Sequence, residues 1–540
     1  MYSISKRSWQ AFIIAILTSA SIQAAAPLWK ANFDSGIKWQ KLAETGHLIV
    51  CTDKALVALD PVNGSEVWRN DELGDLKDEQ FDIVGGTQFA LISKSKGVFG
   101  TKTRLIFMDL SSGKELWNTD SLGITSSSGH FTLLQVGGIL IYGALGSNAN
   151  DRQMILIDLP TGALRWTNKE LFKKKFKPEL IPVSKTKVSV DGNQNPMFDS
   201  PETMILYISG DGIVKVNSTT GAQIWAVEVK SKRAPALSYG FASMFLSDDQ
   251  SILYTPTDKT VYAIKTSDGS HVWAKPPQLK GIVNQMEMTS AGMLIRTGAD
   301  SEGKGNESIT LIDVSTGVPK WKKEFDKLKQ STNYQLVGDK IYVCSDEKLY
   351  AINLADGVFE QVAKDVKMDG GEIASSMTAM SGDLLFSSSQ NLLLVDVAGK
   401  QKWHSFHKAP GSSLFAKIAS TAVLTAINAG SAMQGYSNAM ANAQRSASGQ
   451  GSASYSLITS NPYMSKRYKA TRVGANYQTI LTNINDGEEK GPGLVKVSKT
   501  TGQAEKKIVL GTKDAEYQVD EYDSRLYFLA GDKEIQCFEF

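Results

Sequence analysis

Short apolar runs alternate with polar positions through most of this chain, and they break on a turn that recurs at a fixed offset from a tryptophan. The stretch reads apolar-x-apolar-Asp-x-x-x-Gly-x-x-x-Trp. It occurs at Asp60, Gly64 and Trp68, at Asp109, Gly113 and Trp117, at Asp158, Gly162 and Trp166, and at Asn217, Gly221 and Trp225. Gly269 with Trp273, and Asp313 with Gly317 and Trp321, continue the series. Weaker copies follow: Asn353 and Gly357 with Gln361 in the tryptophan position, Asp396 and Trp403 around a shortened turn at Gly399, and Gly502 without Asp or Trp. A period of two predicts strands. Asp or Asn at the end of a run can bond backbone amides two residues on, and Gly supplies the positive φ that other residues resist, so each copy reads as a hairpin. Further strands are expected upstream, for example Leu48-Ile49-Val50-Cys51 and Ile341-Tyr342-Val343-Cys344, which makes four per unit.

Successive motif glycines lie 40 to 59 residues apart, except for 103 residues between Gly399 and Gly502. Such a period means a repeat architecture. No helical pattern of useful length interrupts the first eight copies, which excludes helical solenoids and a βαβ sheet. An open stack of blades would leave strand edges at both ends, whereas a closed ring leaves none. The expected fold is therefore all-β, a single closed β-propeller of eight to ten four-stranded antiparallel blades over residues 27–540. The C-terminal runs Leu526-Tyr527-Phe528-Leu529 and Glu534-Ile535-Gln536-Cys537-Phe538 lack an outer strand, and the segment around Trp29 lacks inner ones, so the N-terminus is expected to complete the last blade.

On these residues the motif resembles the tryptophan-docking repeat of the quinoprotein β-propeller superfamily. The resemblance implies that each Trp packs flat against the peptide at the Gly of a neighbouring unit. Trp68, Trp117, Trp166, Trp225, Trp273, Trp321 and Trp403 would then pack on the recurring glycines from Gly64, Gly113, Gly162, Gly221, Gly269 and Gly317 onward. Truncating a fully buried indole such as Trp68 or Trp225 to alanine would cost roughly 3–5 kcal/mol. Catalytic members of the superfamily carry pyrroloquinoline quinone with calcium and a vicinal disulfide; the non-catalytic branch resembles the propeller scaffold of outer-membrane β-barrel assembly. The three cysteines here, Cys51, Cys344 and Cys537, include no adjacent pair. The reading is accordingly a non-enzymatic envelope platform with a protein partner, no cofactor and no metal. A quinone-dependent dehydrogenase of alcohols or sugars and a carbohydrate- or cell-wall-binding propeller are the alternatives.

Charge changes little. Lys plus Arg number 58 and Asp plus Glu 56, so no global field gathers nucleic acid. Residues 1–26 read as a secretory signal peptide: Lys6 and Arg7, an apolar core from Ala11 to Leu17, then Ala24-Ala25-Ala26. That core is too short for a permanent membrane span. The first cysteine is Cys51, so no acylation site follows the core, and the expectation is an unlipidated periplasmic or outer-membrane-associated protein. Within the long spacing, residues 408–475 read as an Ala- and Ser-rich insertion, helical near Ser412 to Ala443, with Leu414, Phe415 and Ile418 as candidate partner contacts. The lysines from Lys169 to Lys177 read as a solvated loop, and His404 with His407 as a weak metal pair.

Overall fold

The computed structural model describes residues 26–96, 102–148, 151–170, 196–208, 212–229, 244–257, 259–299, 305–410, 476–487 and 489–540. Within these lie ten antiparallel sheets, each built from strands consecutive in the chain except the last. Numbered in chain order, the blades span 37–70, 81–118, 124–168, 197–228, 245–265, 282–312, 335–363, 376–406, 477–509 and 517–539. The tenth is completed by Trp29–Asn32, which runs antiparallel to Glu534–Glu539 with Trp29 opposite Cys537. The two ends of the chain thus share one sheet, and the ring is a ten-bladed propeller.

The middle strands of the blades are continuous apolar runs because both of their faces are covered. In Leu48–Thr52, Ile49 and Cys51 pack with Phe81 and Ala90 of blade two, while Leu48 and Val50 pack with Tyr527 and Ile535 of blade ten. Alternation along one strand therefore feeds two different interfaces. Each of the ten gaps between blades holds its own buried cluster, from Leu133 with Met204 between blades three and four to Leu481 with Leu526 between nine and ten. The core is ten wedges around a ring.

Seven sheets have four strands and three have three. In blades five and six the outer position is held by irregular chain with only isolated pairings, Ile264 with His271 and Thr260 with Gln278 in one, Ile312 with Pro319 and Ile309 with Phe325 in the other. In blade five Pro276 and Pro277 interrupt the outer segment, since proline has no amide to give a ladder; in blade six the bonds flanking Pro319 form, with the Lys320 amide donating to the Leu311 carbonyl. Blade nine shows three strands among the described residues. The expected helical part of the insertion, residues 412–443, lies outside them, as do residues 1–25 of the expected signal segment.

Candidate interaction surface

Where Asp or Asn precedes the motif glycine by four residues, the outer segment begins with the Asx turn that the motif prescribes. Asp60 Oδ1 accepts from the Val62 amide at 2.6 Å, Asp109 Oδ1 from Ser111 at 2.8 Å and Asn217 Oδ1 from Thr219 at 2.9 Å. The turn closes with the glycine at φ between +69° and +76°, and its bare Cα faces an indole from the preceding blade. Trp29 lies over Gly64, Trp68 over Gly113, Trp117 over Gly162 and Trp166 over Gly221. Trp225 lies over Gly269, Trp273 over Gly317, Trp321 over Gly357 and Trp403 over Gly502. A Cβ on any of these glycines would stand within 2.9 Å of an indole carbon. Seven of the eight indoles also donate to the carbonyl of the residue after the Asx position, as Trp68 does to Leu110 at 2.7 Å and Trp166 to Ser218 at 2.9 Å. The indole therefore reads both shape and a hydrogen bond on the next blade. Trp403 alone has a buried Nε1 without an acceptor among the described residues.

Where the tryptophan is missing the joint changes. Gln361 takes its place opposite Tyr350, and the Ala363 methyl meets Gly399 instead. Between blades nine and ten no indole serves; Phe538 and Phe540 fill the gap, and Lys496 Nζ donates to the Phe540 carbonyl at 3.0 Å.

In five blades the residue just before the docking tryptophan is a β-bulge. Trp68 pairs with Ala58 and Glu66 with Leu59, so Val67 is extra; Leu116, Arg165, Ile224 and Lys402 hold the same place in blades two, three, four and eight. A bulge twists the strand, aiming the indole at the next blade and blunting the outer edge against uncontrolled pairing. The bulged side chains stand outward. Val67, Leu116 and Ile224 are 43%, 41% and 48% exposed, and Leu164, beside the bulge of blade three, is 52% exposed. Four consecutive blades thus carry an apolar side chain on the rim.

Polar side chains lock the inner strands across the gaps. Asn333 exchanges two 2.8 Å bonds with the Met377 backbone, and Gln478 Nε2 donates to the Ser388 carbonyl at 2.7 Å. Lys215 pairs with Asp199 and donates to the same Thr266 carbonyl that receives Trp225 Nε1. The locks across the gaps had no signal in the sequence, because those partners are 40 or more residues away and backbone atoms take part in each.

The three thiols are free and buried in separate strands, and burial pushes Cys51 up to about 11 and Cys344 and Cys537 up to about 12. No two of the three are adjacent in the chain. His404 and His407 part company: His404 Nε2 lies 2.9 Å from Asn391 Oδ1, and His407 Nε2 lies 3.0 Å from Ser405 Oγ. An extended segment turns such residues to opposite faces. No group of three His, Cys, Asp or Glu that could hold a metal occurs among the described residues. Lys169 pairs with Asp151. Lys173 to Lys177, and the candidate contacts Leu414, Phe415 and Ile418, lie outside the described residues.

A family profile described as outer membrane protein assembly factor BamB matches residues 52–190 and 210–459, well over half of the chain. Among solved structures, BamB from Moraxella catarrhalis aligns at 14% identity over 69% of this chain and 98% of its own, with a TM-score of 0.32. Quinohemoprotein alcohol dehydrogenase from Pseudomonas putida HK5 aligns at 12% identity over 73% of this chain and 80% of its own, with a TM-score of 0.31. The computationally designed protein Ika8 aligns at 9% identity over 70% and 98%, with a TM-score of 0.33. Scores of this size have no bearing on what the chain does. No curated protein matches the sequence.

Proposed function

The chain belongs to the outer membrane protein assembly factor BamB family, and from that premise we propose that it is a non-enzymatic scaffold of the cell envelope that holds a protein partner on its rim. The observation that carries this reading is the row of outward apolar side chains on blades one to four: Val67, Leu116, Leu164 and Ile224. Each sits within two residues of a docking indole on a strand held by its inner neighbour and by the indole's seat on the next blade, so the row is a rigid array that loses little freedom on binding. Apolar side chains repeated on a polar rim are the composition of a contact surface. The bulges favour side-chain contact over strand addition.

In this reading the mature protein is periplasmic or associated with the outer membrane, the signal segment is removed, and no quinone is used. No helix among the described residues is long and apolar enough to cross a membrane. Leu414, Phe415 and Ile418 are a second candidate contact. The test is affinity purification from the envelope with the Val67→Glu, Leu116→Glu, Ile224→Glu variant and, separately, with residues 412–443 deleted. The rim variant is expected to lose partners while keeping its melting temperature; unchanged partners in both variants would refute the reading. Dye reduction with alcohols after adding pyrroloquinoline quinone and calcium is expected to be nil, and turnover would replace the scaffold with a dehydrogenase.

A further inference from the structure

Blades five and six differ from their neighbours in more than the missing strand. The chain that replaces it, residues 271–280 and 318–330, carries seven lysines against two acids, Glu324 and Asp326, a net of five positive charges in a protein whose total is two. The two segments adjoin: Trp273 of the first lies over Gly317, just before the second, and Lys280 pairs with Glu324 at 3.6 Å. Every one of the seven lysines is exposed. Lys323 pairs with Asp326, Lys329 with Asp346, and Lys320 caps the Ala291 carbonyl. Lys275, Lys322 and Lys327 have no partner among the described residues.

Apolar tips flank this charge. Val318 is 59% exposed on the turn of blade six, and Val358 and Phe359 are 67% and 40% exposed on the turn of blade seven that receives Trp321. Blade one, on the far side of the ring from blade six, is the opposite: residues 66–80 carry six carboxylates against Arg69 and Lys77. The near-neutral total therefore hides short segments of opposite sign, the basic one on the outer positions of blades five and six. We propose that the outer face of blades five and six is a docking surface for anionic lipid headgroups, with Val318, Val358 and Phe359 entering the headgroup layer. Long lysine stems beside exposed apolar side chains suit a surface that is anionic outside and apolar beneath. The irregular backbone offers no strand edge to a protein partner, and the acidic rim of blade one would face away from the lipid. This surface is separate from the apolar row of blades one to four, so either can fail alone.

The test is co-sedimentation of the full mature chain with phosphatidylcholine vesicles doped with phosphatidylglycerol, and with phosphatidylcholine alone, at low and at physiological salt. The wild type is expected to bind the anionic vesicles, less at higher salt. Lys275→Gln, Lys322→Gln, Lys327→Gln, which breaks no ion pair, is expected to weaken binding by about tenfold or more. The control Lys77→Gln, Lys114→Gln, Lys490→Gln, also at exposed sites, is expected to bind as wild type. Equal binding to neutral vesicles, or equal losses in the two triple variants, would overturn the proposal. Retention on immobilised poly-glutamate without vesicle binding would also overturn it and assign the surface to an acidic protein. Unchanged melting temperatures in both variants separate lost binding from lost fold.

Discussion

At the scale of single residues, the docking glycines face two separate penalties on substitution, and the structure offers a control that separates them. Gly113 has φ +71° and its missing Cβ would stand 2.6 Å from Trp68; Gly123 has φ +70° with nothing within 4 Å. Gly123→Ala should cost only the left-handed backbone term, about 1–2 kcal/mol. Gly113→Ala adds overpacking against the indole, a further 1–3 kcal/mol or so. Urea denaturation of the two variants should show that gap, and equal costs would mean that the indole moves aside freely. Histidines set the acid limit. Burial lowers His47 and His407, and His130 is held down at about 4. The unfolded chain, with histidines near 6.5, then binds more protons in the window between about 4 and 6.5. Stability should be intact above that window and fall as the pH drops through it. His130→Gln should lose less stability than wild type between pH 7 and pH 5, as read from denaturation midpoints.

At the scale of the element, one turn stands against local preference. Asp346 and Glu347 join Lys340–Ser345 to Lys348–Asn353 with φ of +52° and +61°, a two-residue hairpin that asks for Asn-Gly. Asp346→Asn, Glu347→Gly should raise stability by about 1 kcal/mol, since only exposed ion pairs to Asp346 are lost. Among the described residues, blades eight and nine meet through Trp403 over Gly502 and through Thr482 Oγ1, which donates to the Lys408 carbonyl at 2.7 Å. The strand runs, the Asx turns and the glycines were readable from sequence because their causes lie within a dozen residues. The bulge before five of the tryptophans was not, because extra residues appear only once register with a partner strand is known. The irregular outer segment of blade five could have been read, because Pro276 and Pro277 have no amide to give a ladder. The rim contacts could not, because exposure of Val67 or Ile224 depends on how far each blade is covered by the next.

At the scale of the molecule, nine interfaces join blades linked by continuous chain, and the tenth blade is joined to the first through a strand from the far end. Trp29–Asn32 supplies the outer strand of blade ten, its indole covers Gly64 and donates to the Pro61 carbonyl, and Phe33 packs in the same cluster. Removing residues 26–33 deletes all of this and bares the outer edge of Glu534–Glu539. It also thins the cluster that holds Leu48, Val50 and Val57 against Tyr527 and Ile535. An unpaired edge beside apolar faces recruits another copy. The truncated protein should therefore self-associate, seen as a rise in mass by light scattering. Hydrogen exchange should speed up in residues 48–59 and 517–539, while blades five and six, farthest from the seam, keep their protection. Uniform loss of protection around the ring would show instead that the ten interfaces unfold as one cooperative unit, with closure as the condition for any blade to stand.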